Sequence, residues 1–412
     1  MRSSTPEAHS SFPTRHREPT RPLRVAYVSE IPTPYRRPFL ERLAQEPDLD
    51  LTVWYLAAGQ ADRSWRLEPP LHAWEHVLRG VHWCAERRRG QFNRFNPGVL
   101  RVLNARRYDV AVFGAYYVMS LWMGIYACRW RGLPYVLQCE SHGRRARSGV
   151  RTALKRALVG RLIRDAGAWL PLGTWAREYL AEHGADPRRS FLCPNAPDVD
   201  ALQAQCRDLP GRDALRDRLG VPREGPLFAY VGRFVEHKRV DLVLDAYARL
   251  SAQGVRAALA LAGDGPLEAR LRARVQEERI PNVRFLGFRE PGRLAEVYAA
   301  ADALALASDD EPWGVVVHEA LTCGTPAVVS DRVGAGADLV REGRTGWTFP
   351  AGDAQALCRT LESFADDPDL RDRLAPEAQA VARAWGYARC VAAFRDAVRT
   401  AQARGRAGEA KR

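Results

Sequence analysis

"PLFAYVGRFVEHKRVDLVLDAYARL", Pro226 to Leu250, opens with an unbroken apolar run, turns at Gly232 and continues in a helical pattern. An apolar run of strand length suits a strand buried on both faces, as parallel sheets require. Joined by a tight turn to a helix, it is the repeating unit of a doubly wound α/β fold. The unit recurs on both sides. Downstream lie "RAALALAG", "NVRFLG", "DALALAS" and "PAVVS". Upstream, a separate series runs "LRVAYVS", "LTVWYL", "YDVAVFG", "PYVLQC" and "GAWLPL", with helical stretches such as "PYRRPFLERLA" and "RTALKRALVGRLI" between them. Two series predict two Rossmann-like domains across a cleft, with ligands at the carboxyl ends of the strands.

Between the series, "CPNAPDVDALQAQCRDLPGR" is polar and without periodicity, and reads as a linker. The expected division is a disordered tail at 1–22, a first domain at 23–205, a second at 206–384, a helix at 385–403 crossing back to the first domain, and a disordered tail at 404–412. The 412 residues, 46% of them apolar, are enough for such cores. No run approaches the roughly twenty apolar residues of a membrane span. The opening "MRSSTPEAHSSFPTRHREPTRP" has no apolar centre, so neither a signal peptide nor a folded element is expected there. Eight scattered cysteines, none in a C-x-x-C pair, fit reduced thiols in a cytoplasmic protein better than disulfides or zinc. The net charge of +13 is concentrated: Arg79 to Arg164 holds 18 basic residues against Glu86, Asp109 and Glu140, leaving 44 basic against 46 acidic elsewhere. That region is a candidate surface for an anionic partner.

The chemistry is carried by turns. "SDDEPWGVVVHEALTCGTPAVVS", Ser308 to Ser330, places Glu311 and Glu319 eight positions apart. Pro312 suits a first helical turn and Asp309 or Asp310 can cap it, so a helix is expected from near Trp313. Glu311 then sits on the loop above the helix and Glu319 about two turns along it. The N–H groups of Gly314 and Val315, at the positive end of the helix dipole, form a cradle for an anion. Carboxylates beside that cradle are placed to accept hydrogen bonds from the hydroxyls of an attached sugar or ribose; for one acidic pair alone a cap plus a solvated helix face is the plainer reading, which loses ground only where the rest of the chain supplies phosphate donors. After Gly232, Arg233 and Lys238 can address one phosphate group, or be ordinary surface cations. Gly263, Asp264 and Gly265 make a second tight turn. No Walker pattern and no G-x-G-x-x-G fingerprint occurs, which removes the best support for hydride transfer.

Taken together, "GRFVEHKRVDLVLDAYARL", "LAGDGPLEARL", "NVRFLGF", "EPWGVVVHEALTCGTPAVVSD" and "GWTFPAGDAQAL", in that order, resemble the C-terminal half of a family 4 glycosyltransferase of the GT-B fold. "SEIPTPYRRPFLERLA", "LPLGTWAREYLAEHG" and "FLCPNAPDVD" resemble its N-terminal half more loosely, and "AWGYARCVAAFRDAV" is similar to the helix that crosses back in that fold. The resemblance implies an acceptor-binding first domain and a second that binds a nucleotide-sugar donor. Arg233 and Lys238 would neutralise the diphosphate, the backbone after Gly314 would add hydrogen bonds, Glu319 would hold the ribose and Glu311 the transferred sugar. Base recognition would run through backbone near Gly287 and Phe288. It also implies retention of anomeric configuration, no cofactor, and no obligatory metal.

Glu140 and His142, in "CESHGRRARSG" after a predicted strand, are expected at the cleft. By resemblance His142 contacts the transferred sugar; it can equally order the loop before a helix. Glu140 is a candidate to activate the acceptor hydroxyl, a task that retaining members of the fold often leave to the donor phosphate. The acidic triplets at Asp198 to Asp200 and Asp367 to Asp369 mimic a metal motif but lie in polar loops without phosphate-binding context. Departures from the family are Pro32 to Tyr35 in place of paired glycines, Trp313 for phenylalanine, and Ala335 and Asp338 where glycine and glutamate are common. An epimerase of the same overall fold and a basic nucleic-acid-binding protein are the alternatives; the EPWG loop opposes the first and the lack of any binding motif the second, so no nucleic acid is expected. The segment "RSGVRTALKRALVGRLIR" aligns Val150, Leu154, Leu158 and Leu162 among Arg147, Arg151, Lys155, Arg156, Arg161 and Arg164. It either packs on the sheet or contacts anionic lipid at the inner face of a membrane, near a lipid-linked glycan acceptor.

Overall fold

The computed structural model describes residues 21–59, 71–86, 91–143 and 159–409. Its frame is two six-stranded parallel sheets. The first contains β1 (Leu23–Ser29), β2 (Leu49–Tyr55), β3 (Glu75–Val77), β6 (Val110–Phe113), β7 (Tyr135–Cys139) and β8 (Ala168–Pro171), in the order β3-β2-β1-β6-β7-β8. A hairpin of β4 (Val81–Glu86) and β5 (Gln91–Phe95) stands apart from it. The second contains β9 (Leu227–Val231), β10 (Ala258–Ala262), β11 (Val283–Gly287), β12 (Ala303–Leu306), β13 (Ala327–Ser330) and β14 (Gly346–Phe349), in the order β11-β10-β9-β12-β13-β14. With the hairpin set aside, both follow the doubly wound order in which the winding reverses beside the first strand. The reversal falls between β1 and β6 in one sheet and between β9 and β12 in the other. The expected fold, two Rossmann-like domains, is the observed one.

The strands are apolar because both faces are covered. Every residue of β6, β7, β8, β9, β10, β12 and β13 is buried. The helix Val240–Ala252 covers the second sheet through Val243, Leu244 and Tyr247, and the Tyr247 hydroxyl donates to the Ala257 carbonyl at 2.8 Å. The C-terminal helix Tyr387–Glu409 returns to the first sheet. There Phe394, Ala397, Val398 and Ala401 join Val25, Tyr27 and Val112 in one core, and Arg395 and Arg399 both reach Asp48.

The predicted linker contains a helix, Val199–Arg207, capped by Asp198, whose side chain accepts from the Ala201 N–H. Its apolar Val199, Leu202 and Cys206 keep helical spacing, but the helix of nine residues is too short for that pattern to stand out among polar neighbours. Asp198 is therefore a cap, and Asp367 of the second acidic triplet pairs with Arg373. The expected C-terminal tail is helical through Glu409. β3 and the hairpin carry too few alternating residues to read as strands, and β14 is a four-residue strand at the sheet edge, too short to stand out in sequence. Of the basic segment 147–164, residues 147–158 lie outside the described residues; Leu162 is in the first-sheet core, where it packs on the sheet.

His318 ties the helix Val315–Thr322 to the helix Leu370–Ala384, its Nε2 donating to the Ala382 carbonyl at 2.8 Å. It is fully buried, and burial pushes its imidazolium pKa down to about 4. The unfolded chain, with an ordinary imidazole near about 6.5, binds the proton more readily, so the neutral ring contributes stability present above that value and lost as pH falls toward 4. The full effect is about 3 kcal/mol. Urea midpoints measured between neutrality and the acid end should fall more steeply for the native protein than for His318→Asn; parallel slopes would refute the assignment.

Candidate functional site

At the carboxyl edge of the second sheet the turns after β9, β10 and β11 lie against one another. The Gly232 N–H donates to Ala262 at 3.0 Å, Phe234 to Asp264 at 2.7 Å, and Gly263 to Gly287 at 2.8 Å. Gly263 has φ of 145°, and a Cβ there would strike the Gly232 carbonyl oxygen. Glycine is thus required where the two turns meet. Arg233 follows Gly232, its carbonyl accepting from the Tyr230 hydroxyl at 3.0 Å, and Phe288 stands half exposed beyond Gly287.

After β12 the chain does not enter a helix at Trp313. Residues 311–313 lie beside 333–335: Glu311 bridges Val333, Gly334 donates to Glu311 at 2.9 Å, and Ala335 to Trp313 at 2.7 Å. Gly314, with φ of 94°, then turns the chain into the helix at Val315. Those cross-loop bonds hold the backbone out of helical geometry, which overrides Pro312. Neither expected cap serves: Asp309 pairs with Arg239 at 3.3 Å and Asp310 with His142 at 2.8 Å. The first N–H groups of the helix remain donors without intrahelical partners.

Lys238 ends a short turn, Glu236–Lys238, and its Nζ is ion-paired with Glu311 Oε2. Sequence assigned these two residues to different parts of a ligand, whereas the structure pairs them. Both are only slightly exposed, so the pair is worth more than a surface contact. Glu319, on the inner length of the helix, accepts from the Tyr298 hydroxyl at 2.6 Å. Burial raises the Glu319 pKa and the Tyr298 bond opposes that rise; burial beside Glu319 holds the Tyr298 proton in place as a donor.

The first sheet presents a second polar cluster at its own reversal. Glu140, after β7, accepts from Arg36 at 2.6 Å, and Arg36 also donates to Asn195 at 3.1 Å. Beside it, Glu30 after β1 is bound by Arg94 at 2.9 Å and by the Tyr117 hydroxyl at 2.5 Å. Both clusters can donate to and accept from a polyol. The two halves touch through His142, whose Nε2 lies 2.8 Å from Asp310 next to Glu311, and through Asp338, which accepts from the Thr174 N–H at 2.9 Å and hydroxyl at 2.6 Å. Asp338 caps a helix of the other domain, Thr174–Glu182. Gly173 before it admits the approach, since a Cβ there would meet Asp338 and the Trp313 ring.

The structure therefore gathers Gly232, Gly263, Lys238, Glu311, Gly314, Val315 and His142 at one edge, through Asp310, while Glu319 is held by Tyr298 and Glu140 belongs to the first-sheet cluster. Sequence reasoning missed Tyr298, Asp310 as the partner of His142, and the set Glu30, Arg36, Arg94, Tyr117 and Asn195. The last had one signal, the polar residue within the otherwise apolar "FLCPNAP".

Residues 211–381 match the family described as glycosyl transferases group 1. A D-inositol 3-phosphate glycosyltransferase of Xylanimonas cellulosilytica is 32% identical over 224 residues, 54% of each chain. One from Mycobacterium leprae is 35% identical over 51% of this chain and 47% of its own, and the alpha-D-kanosaminyltransferase of Streptomyces kanamyceticus 28% identical over 52% and 55%. The chain thus spans about half the length of the curated relatives it matches. Among solved structures, Anabaena Alr3699/HepE in complex with UDP aligns with a TM-score of 0.71 at 20% identity over 92% of this chain and 100% of its own. WaaG, a glycosyltransferase involved in lipopolysaccharide biosynthesis, aligns at 0.64 and 18% over 87% and 95%. These likenesses establish the GT-B fold.

Asp338→Ala should lower stability by about 1 kcal/mol, the usual worth of a helix cap. A double-mutant cycle with Thr174→Val, read by denaturant midpoints, should show coupling between the two sites. Strict additivity would mean that the contact contributes nothing.

Proposed function

We propose that this chain is a retaining glycosyltransferase that moves a sugar from a nucleoside diphosphate donor to a hydroxyl of a glycan or lipid-linked glycan in cell-envelope polysaccharide assembly, working in the cytoplasm or at the inner membrane face. The observation that carries it is the placement of Lys238, Glu311 and the N-terminus of Val315–Thr322 at the strand-order reversal of the second sheet. The group 1 match over 211–381 supports the reading, as do neighbours of the same fold solved with UDP and with UDP-glucose.

In this reading the diphosphate lies against Arg233, Lys238 and the helix amides. These stabilise charge on the leaving oxygen as the anomeric C–O bond breaks. Glu319, oriented by Tyr298, accepts from the ribose; Glu311 accepts from the sugar, and His142, aligned by Asp310, borders the reacting carbon. The acceptor oxygen bonds to the anomeric carbon on the face the diphosphate leaves, and its proton passes to the departing phosphate oxygen. No metal or cofactor takes part in these steps; the arginine and lysine neutralise the charge. The acceptor occupies the cluster around Arg36, Glu140 and Asn195.

Radiolabel transfer from a panel of UDP-, GDP- and ADP-sugars tests the reaction and identifies the donor. Lys238→Ala and Glu319→Ala should each reduce kcat/KM at least tenfold, about 1.4 kcal/mol, with the fold intact. Native kinetics in both variants would remove the assignment. Turnover should also persist in a chelator; abolition reversed by magnesium or manganese would overturn the metal-independent mechanism.

A further inference from the structure

Exposed apolar surface on this molecule is concentrated. Among the described residues eleven large apolar side chains are exposed, and all but Phe288 fall between Leu71 and Trp130. The centre is the helix Met119–Trp130, where Trp130 is 84% exposed and Met119 and Tyr126 are each 43% exposed. A groove of about 470 Å³ runs between this helix and Leu100, walled by Trp122, Met123 and Tyr126, with Arg131 as its one charged side chain. The hairpin extends the same face: Asn93 stands opposite Trp83 in the β4–β5 pairing, and its Oδ1 accepts the Met119 N–H at 3.0 Å. Trp83 and Val81 are both exposed there.

The chain around these rings is basic, although Arg129 is itself ion-paired with Asp165 at 2.7 Å and Arg131 donates to the Leu103 carbonyl at 2.6 Å. Between 71 and 131 the sequence has ten arginines against Glu75, Glu86 and Asp109, with Arg87, Arg88 and Arg89 outside the described residues. Glu75 is bound by Arg37, and Asp109 by Arg21 and Arg24. Arg129 lies over the Tyr126 ring at 5.6 Å and Arg131 over the Trp130 ring at 5.8 Å. Rings with an apolar body and polar tip, flanked by long cationic side chains, match the depth profile of a bilayer surface: acyl chain, headgroup, then lipid phosphate.

We propose that the face formed by Met119–Trp130, Leu100 and the β4–β5 hairpin docks on an anionic lipid bilayer. A contiguous apolar patch marks an interaction surface, and its arginine surround selects a negatively charged one. The face adjoins the first-sheet reversal, since Tyr117, two residues before the helix, donates to Glu30. Docking therefore sets the acceptor cluster at headgroup level, where the hydroxyl of a lipid-linked glycan arrives. That last step rests on the proposed transferase reading; the docking does not.

The test is co-sedimentation of the full chain with phosphatidylglycerol and with phosphatidylcholine vesicles, alongside calorimetric titration with UDP. Binding should favour phosphatidylglycerol, weaken as salt rises, and fall roughly tenfold in Tyr126→Ser/Trp130→Ser. UDP binding should be unchanged in that variant. An environment-sensitive dye on Trp130→Cys should shift to the blue only with the anionic vesicles. The proposal is overturned if neither vesicle is bound, if the double variant binds like the native chain, or if its only effect is to dissolve a lipid-free dimer seen by light scattering. Failure to bind UDP, with vesicle binding intact, would instead remove the donor reading and leave the docking face standing.

Discussion

A parallel sheet cannot be closed by tight turns, so each strand returns to the starting edge through a helix, and all carboxyl ends face one way. Two such sheets impose nearly everything else here. Where the winding reverses, neighbouring connections leave to opposite faces and a crevice remains at the strand ends. In the second sheet it receives the turn after Gly232 and the loop from Ser308 to Gly314; in the first it receives Glu30, Gly114 and Glu140. Polar side chains collect there because the rest of each strand is enclosed by helices and has no room for them.

Within the second crevice, positions are set by backbone bonds before any side chain acts. The strip 311–313 is held against 333–335, so Glu311 projects beside Lys238 and does not ride on a helix. Opposite charges in a partly enclosed place stabilise each other, and removing one leaves the other poorly solvated. Glu319 is under a different constraint. Its burial favours the neutral form, the Tyr298 hydroxyl restores part of the preference for charge, and that hydrogen bond holds the carboxyl group in one orientation.

The two halves are joined by few but specific contacts. Asp338 caps a helix of the first domain, His142 reaches Asp310 in the second, and the C-terminal helix carries chain built after the second sheet into the core of the first. The apolar packing of Phe394 and Val398 is extensive, whereas the polar contacts beside the site are few: two hydrogen bonds from Thr174 to Asp338 and one between His142 and Asp310.

Most of the ten strands read from sequence were legible because burial on both faces leaves an apolar run, whereas the edge strand β11, with no residue fully buried, was legible only from its neighbours; the turns were legible because glycine is needed where carbonyls crowd. The cations after Gly232 and the two glutamates could be picked out for the same local reason: charge beside a turn at a strand's carboxyl end. The hairpin and the helix Val199–Arg207 were not legible, since their patterns are short and tertiary contacts complete them. The true partners lay beyond sequence altogether. His142 and Asp310 are 168 positions apart and Thr174 and Asp338 are 164 apart. What joins them is the facing of two separately wound sheets. Local physics determines each strand and turn; which charge meets which is decided by strand order and domain contact, because pairing depends on distances of a few ångströms that only the assembled fold defines.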